Sequence, residues 1–270
     1  MKDFWRVRFM AKDKTKDRGS SLQKKRIKID LLVHDIKSPL AIIETGISSL
    51  IRYRNKWGPL TEKQEKILMR TLRNTKVARD LVEGVMELGM AREGVFRYVN
   101  CTISELVLPV LREVFDLVDV DMGEKINGCE GLSPLVDLLK GKGILISVDE
   151  GLWSQRIRLD ELKVKQIVRN LLNNAMKYRK NLVEIEFIRE GRFLHISVKD
   201  DGKGIGIMHH KRIFESYFQV DDGNDYGFRS HGLGLAGVMV LLEDMGGELF
   251  LESDEGKGTK FIAKVPLPED

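Results

Sequence analysis

His34 stands directly before Asp35 in the run Leu31-Leu32-Val33-His34-Asp35-Ile36-Lys37-Ser38-Pro39-Leu40. A neutral imidazole is a good nucleophile near pH 7, because a pKa of roughly 6.5 leaves a ring-nitrogen lone pair free. An adjacent carboxylate can hold the ring in one tautomer and take its proton as the other nitrogen attacks. Far downstream, four segments carry residue types that suit phosphate and a purine. Asn170 and Asn174 are four apart and share a helix face, which Lys177 and Tyr178 extend by one turn. Amide oxygens suit hard Mg²⁺, which keeps several waters. Lys177 can neutralise phosphate charge, and Tyr178 can donate to a phosphate oxygen.

Asp200-Asp201-Gly202-Lys203-Gly204 follows a predicted strand. A carboxylate there can accept from the exocyclic amine of adenine, while Gly202 and Gly204 let the backbone approach the ring. Gly232-Leu233-Gly234-Leu235 opens a helix whose free N–H groups suit phosphate, with Arg229 and His231 just before it. Gly256-Lys257-Gly258-Thr259 ends the set, and the Thr259 hydroxyl is expected to support Asp200 through water. Taken singly, each piece has an ordinary structural reading: a solvated helix face, a tight turn, a helix start. Order and spacing make the argument.

The elements that must position these groups fall into two parts. From Ser21 to Arg54, apolar residues recur at helical spacing, and Pro39 inside the pattern predicts a kink just after His34. Asn55-Lys56-Trp57-Gly58-Pro59 breaks the helix. Thr61 begins a second one, with Glu62 and Glu65 in its first turn. Two long helices and a short turn make an antiparallel hairpin over residues 21–93. Alone it buries little area, so pairing into a four-helix homodimer is the natural solution.

After Gly94 helix and strand mix, and residues 95–270 read as an α/β layer sandwich, so the fold class is α+β. Expected strands are Phe96–Val99, Ile144–Val148, Gln155–Leu159, Val183–Ile188, Phe193–Val198, Glu248–Ser253 and Lys260–Val265. Expected helices are Ile103–Val118, interrupted or delayed by Pro109, Leu162–Tyr178 and Leu235–Met245. Residues 119–133, acidic and glycine-bearing without periodicity, read as an inserted loop.

The 270 residues carry a net charge of +4, which gives no cause to expect a nucleic-acid partner. Basic residues concentrate before residue 30, making residues 1–20 a basic N-terminal segment. Residues 4–10 alternate apolar and basic types. They read first as a frayed terminus, and otherwise as a contact with a partner or a membrane surface. Cys101 and Cys129 form neither metal spacing nor a disulfide framework, which suits a reduced, cytoplasmic setting. No apolar run reaches the ~18 residues of a membrane helix.

Together the motifs resemble the ATP-binding domain of sensor histidine kinases, a branch of the superfamily that also holds gyrase, the heat-shock ninety chaperones and mismatch-repair ATPases. The resemblance covers residues 22–268. It implies Asn170, Asn174, Lys177 and Tyr178 as the asparagine motif, with Asn170 and Asn174 toward Mg²⁺. Asp200, Gly202 and Gly204 match the first glycine motif, and Gly232 with Gly234 the second. Residues 213–218 match the phenylalanine motif, and His34, Asp35 and Pro39 the phosphoacceptor motif. ATP-hydrolysing relatives place a glutamate base where this chain has Asn170, so water activation is not the implied task.

There are departures. Ser230 replaces a usual glycine before Gly232, and Ser38 stands where Thr or Asn usually orients water for phosphatase work. No sensor domain is expected before the hairpin, so signal would enter through a separate sensor protein or the basic segment. The implied function is autophosphorylation of His34 from ATP and transfer to an aspartate of a response regulator receiver domain. The ATP domain would swing on a hinge near Arg92 to Gly94. The alternatives are a non-catalytic phosphotransfer or dimerisation scaffold with a degenerate lid, and a hydroxyl-directed kinase of the same superfamily.

Overall fold

A computed structural model describes residues 6–9, 21–90, 96–116, 120–129, 131–214 and 234–268. Helix α1 (Ser21–Arg52) runs on through Pro39 and is followed by a single turn, α2 (Arg54–Trp57), and by α3 (Glu62–Met90). A capping box starts α3. The Thr61 N–H donates to Gln64 Oε1 at 2.9 Å, and the Gln64 N–H donates back to Thr61 Oγ1 at 3.3 Å. α1 and α3 lie against each other, with Ile47 and Thr75 buried and Arg79 paired to Glu44 at 2.7 Å. Ile36, Ile42, Ile43, Leu50, Ile67 and Met69 stay exposed along them. No helix among the described residues is long and apolar enough to cross a membrane.

The second part is built on a six-stranded sheet. Its strands are β1 (Arg6–Phe9), β3 (Ile144–Val148), β5 (Val183–Glu190), β6 (Phe193–Asp200), β7 (Glu248–Ser253) and β8 (Thr259–Pro266), in the order β1-β7-β8-β6-β5-β3. All neighbours are antiparallel except β3 and β5. A small ribbon pairs β2 (Tyr98–Cys101) with β4 (Ile157–Asp160). The helices α4 (Ile103–Asp116), α8 (Glu161–Tyr178) and α9 (Gly234–Met245) supply the other layer, and α9 also touches α3.

Register explains where the core sits. Ile146, Ile185, Val198, Phe261 and Leu251 form one row across five strands and are all buried. The next row toward the other end reads Ile144, Val183, Asp200, Thr259 and Ser253, so the buried face turns polar at one edge of the layer. Alternation with period two carries both rows.

Three expectations change. Residues 119–133 are not a continuous loop: α5 (Val120–Asn127) packs on α4 through buried Met122 and Ile126, and α6 (Leu132–Lys140) begins before its end. Two apolar anchors four apart are too few to show periodicity, so packing decides this helix. Pro109 does not interrupt α4, whose start is held by a Thr102–Glu105 capping box. Arg6–Phe9 is not a frayed terminus but pairs with β7. α6 and a short α7 (Glu150–Ser154), capped by Asp149, were not foreseen at all.

Candidate nucleotide-binding site

Helix α8 is set by its cap. Asp160 accepts from the Lys163 N–H at 3.2 Å and from the Arg97 N–H at 3.1 Å, which ties the helix start to the segment leading into β2. Six buried apolar side chains from Val164 to Ala175 press one face on the sheet. Asn170 and Asn174 are half-buried at its margin, whereas Asn173 points to solvent. Lys163 in the first turn of α8 forms an ion pair with Asp244 in the last turn of α9, each side chain 12% exposed. The two helices therefore cross head to tail. A Cβ on Gly234 would lie 3.6 Å from Asn170 Oδ1, so the N-terminus of α9 faces the asparagine motif.

The end of α8 is locked to the first glycine loop. Asp200 closes β6, is 5% exposed, and accepts from the Gly202 N–H at 2.8 Å. Burial pushes its carboxyl above the usual carboxylate range, against the pull of the Gly202 and Thr259 N–H groups. A Cβ on Gly202 would sit 2.2 Å from the Tyr178 carbonyl oxygen. Gly204 has φ +74° and leaves only 1.8 Å between such an atom and the Asp254 carbonyl oxygen. Only glycine fits either place.

Asp201 accepts from the N–H groups of Lys180, Asn181 and Leu182 at 2.8, 3.0 and 3.0 Å. Desolvation works to raise its pKa, but those donors outweigh it and hold the carboxyl below the usual range. Beside this loop, Lys177 Nζ donates to Tyr178 Oη at 3.0 Å, and Lys203 Nζ lies 5.9 Å from the same ring's centroid. Two cations and a phenol thus gather at the loop's edge.

Thr259 is opposite Asp200 in register, and its hydroxyl lies 3.1 Å from Ser253 Oγ. Ser253 donates to the Gly258 carbonyl at 2.8 Å and accepts from the Ile205 N–H at 2.9 Å. Ser253 thus joins the first glycine loop to the Gly256–Thr259 turn, a role the motif reading missed. Its signal was present: Leu249, Leu251 and Ser253 alternate, which places a hydroxyl on the buried face. Asp201, read only as part of a turn, is the second residue missed.

Ile213 is buried and Phe214 meets Phe261 edge-on at 6.3 Å, so the start of the phenylalanine motif rests on the sheet. Residues 215–218, Arg229, His231 and Gly232 lie outside the described residues, as does the expected hinge. His34 and Asp35 are on α1, with side chains outside the described residues. Burial pushes the Cys101 thiol up to about 11, leaving it no thiolate to act with. Among the described residues no group of three or more His, Cys, Asp or Glu gathers to hold a metal. The amide oxygens of Asn170 and Asn174 fit Mg²⁺ of the kind that keeps its waters and binds substrate phosphates.

Residues 159–269 match the family described as Histidine kinase-, DNA gyrase B-, and HSP90-like ATPase. The methanogenesis regulatory histidine kinase FilI of Methanothrix harundinacea is 27% identical over 96% of this chain, and the sensor histidine kinase RcsC of Escherichia coli 35% identical over 40% of it. Over residues 159–269 the chain is thus similar to this ATPase family, and relatives that it matches are sensor histidine kinases. Its fold is similar to that of full-length ShkA in complex with AMPPNP, at TM-score 0.59 and 23% identity over 91% of this chain and 46% of that one. The chain spans 27% of the length of FilI and 12% of RcsC. The family match begins at the end of β4 and takes in α8, both glycine motifs and the last two strands.

Proposed function

We propose that this chain is an ATP:protein-histidine kinase that phosphorylates its own His34 and passes the phosphoryl group to an aspartate of a response regulator receiver domain. The observation that carries the reading is the meeting of Asn170 with Gly234 beside the interlocked Tyr178–Gly202 turn. Phosphate-binding and purine-binding parts then face one cleft. Asp200 accepts from the adenine amine, Gly202 and Gly204 admit the ring, and the start of α9 receives the phosphates. Lys177 offsets charge that spreads over the transferring group. Mg²⁺ held by Asn170 and Asn174 would neutralise phosphate charge. His34 attacks the γ-phosphorus through one ring nitrogen. A nitrogen–phosphorus bond forms, the bond to the β-phosphate oxygen breaks, ADP leaves, and Asp35 takes the single ring proton from the other nitrogen.

Because α1 and α3 leave apolar residues exposed along their length, the hairpin is read as half of a four-helix homodimer. Asn170 in place of a base disfavours hydrolysis, so the phosphoryl group goes to the imidazole rather than to water. The test is incubation with γ-labelled ATP and magnesium. Acid-labile, alkali-stable label is expected on the wild type and absent from His34→Gln. Asn174→Asp is expected to lose label through lost nucleotide handling. Nucleotide binding with no label would favour the scaffold, and acid-stable label retained in His34→Gln would overturn the assignment.

A further inference from the structure

The first strand in the sequence is the last in the sheet. Arg6–Phe9 pairs along β7, the edge that would otherwise present a row of unpaired N–H and C=O groups. Register matches the two chemically as well as geometrically. Val7 stands opposite Leu251, in register with the row that starts at Ile146, and Phe9 opposite Leu249, in register with the apolar row Val148, Phe187, Ile196 and Ala263. Leu249 and Leu251 are buried. Arg6 stands opposite Glu252, and Arg8 opposite Phe250, at the alternate register positions. The alternation of apolar and basic residues at the start of the chain therefore matches this edge in register: apolar opposite apolar at two positions, and a base opposite an acid at one. A one-residue slip would put the arginines in the apolar rows, so the register is strongly specified.

The segment has a second consequence through its connection. Residues 10–20 join β1 to the start of α1, and residues 91–95 join the end of α3 to the ATP domain. Because α1 and α3 fold back on one another, both connections leave the same, open end of the hairpin. His34 lies about 20 Å along α1 from Ser21. The ATP domain is thus tied at two points rather than one, the second by a stretch that spans at most roughly 40 Å.

We propose that the β7 edge is a docking surface for a basic, alternating β-strand whose occupant is Arg6–Phe9 of the same chain. This strand fastens the start of the hairpin to the ATP domain and restrains the swing that brings nucleotide to His34. The restraint rests on the phosphotransfer reading above; the fastening does not. Release of the strand, by a partner that adds its own strand to β7, is then a route by which signal enters.

The experiment uses the full chain in a Cys129→Ser background, Cys101 being buried. The pair Arg6→Cys with Glu252→Cys is expected to cross-link within one chain on mild oxidation. Arg6→Cys with Phe250→Cys, two residues out of register, is expected not to. A cross-linked dimer, or no cross-link in the first pair, overturns docking within the chain. As a second arm, Val7→Pro is expected to speed amide hydrogen exchange across Glu248–Ser253, and unchanged protection there overturns the pairing.

With γ-labelled ATP, the oxidised in-register pair is expected to label His34 about tenfold more slowly than the same protein reduced, at equal nucleotide affinity. Equal rates overturn the restraint. Absence of label in both states counts against the kinase reading and removes the restraint with it, while cross-link and exchange still decide the fastening.

Discussion

Gly202→Ala separates crowding at the site from ordinary glycine effects. A methyl group there would come within 2.2 Å of the Tyr178 carbonyl oxygen and 2.7 Å of Asp200 Oδ1, while Gly202 itself is buried. Carbon and oxygen need about 3.3 Å, so an overlap near 1 Å must be relieved by moving the end of α8 or the Asp200 carboxylate. Overpacking of this kind costs about 1–3 kcal/mol. Either movement disturbs the Gly202 N–H to Asp200 bond of 2.8 Å, and with it the group read as the adenine acceptor.

Two other glycines supply the scale. Gly191 has φ +57° with nothing within 4 Å, so alanine there pays only the left-handed backbone cost of about 1–2 kcal/mol. Gly141 has φ −62° with only the Leu138 carbonyl at 3.6 Å, so alanine there should fall within about 0.5 kcal/mol of wild type. Urea unfolding and titration with a non-hydrolysable ATP analogue read both quantities. Gly202→Ala is expected to lose about 2–3 kcal/mol of stability and at least tenfold in affinity. Gly191→Ala should lose stability alone, and Gly141→Ala neither. The reasoning fails if Gly202→Ala binds the analogue like wild type, or if Gly191→Ala weakens binding as much.

Two neighbouring carboxylates should respond oppositely to pH. Burial raises the Asp200 pKa, so the native state holds that proton more tightly than the unfolded chain, and its contribution to stability falls as pH rises through the raised value. On the proposed reading of Asp200 as the adenine acceptor, nucleotide binding needs the ionised form and should weaken as pH drops through the same range. Asp200→Asn is expected to bind about tenfold or more weakly at pH 7 and to show no such acid decline in calorimetric titrations.

Asp201 is held below the usual range by three N–H donors, so its contribution is present above the unfolded pKa and disappears as pH falls through the lowered one. Asp201→Asn should cost about 1–2 kcal/mol in urea unfolding at pH 7, with the deficit closing in acid. A deficit that does not vary with pH would show that its hydrogen-bonded charge is not the cause.

Much of the candidate site was legible before any fold was known, because its parts are local. Asn170 and Asn174 declare themselves through helical spacing, and Asp200 with its glycines through a turn that only small residues can make. The strands from Val183 onward were equally plain, since five of the buried positions on β5 and β6 alternate with half-buried or exposed ones. What escaped was whatever depends on a distant surface. α5 exists because Met122 and Ile126 find α4, and nothing in its eight residues insists on a helix. Ser253 looked like the end of a strand until Thr259 and Ile205 were seen to share its hydroxyl.

By itself, then, the amino-acid sequence determined the list of chemical parts and the local frames that hold them, because periodicity, capping and turn chemistry act over a few residues. The tertiary structure decided how those parts meet: Gly234 against Asn170, Gly202 against Tyr178, and Arg6–Phe9 along the edge of β7. Each of these contacts joins segments far apart in the chain. Their stability comes from burial and pairing that appear only once the sheet and its helices have packed, so no local pattern could announce them.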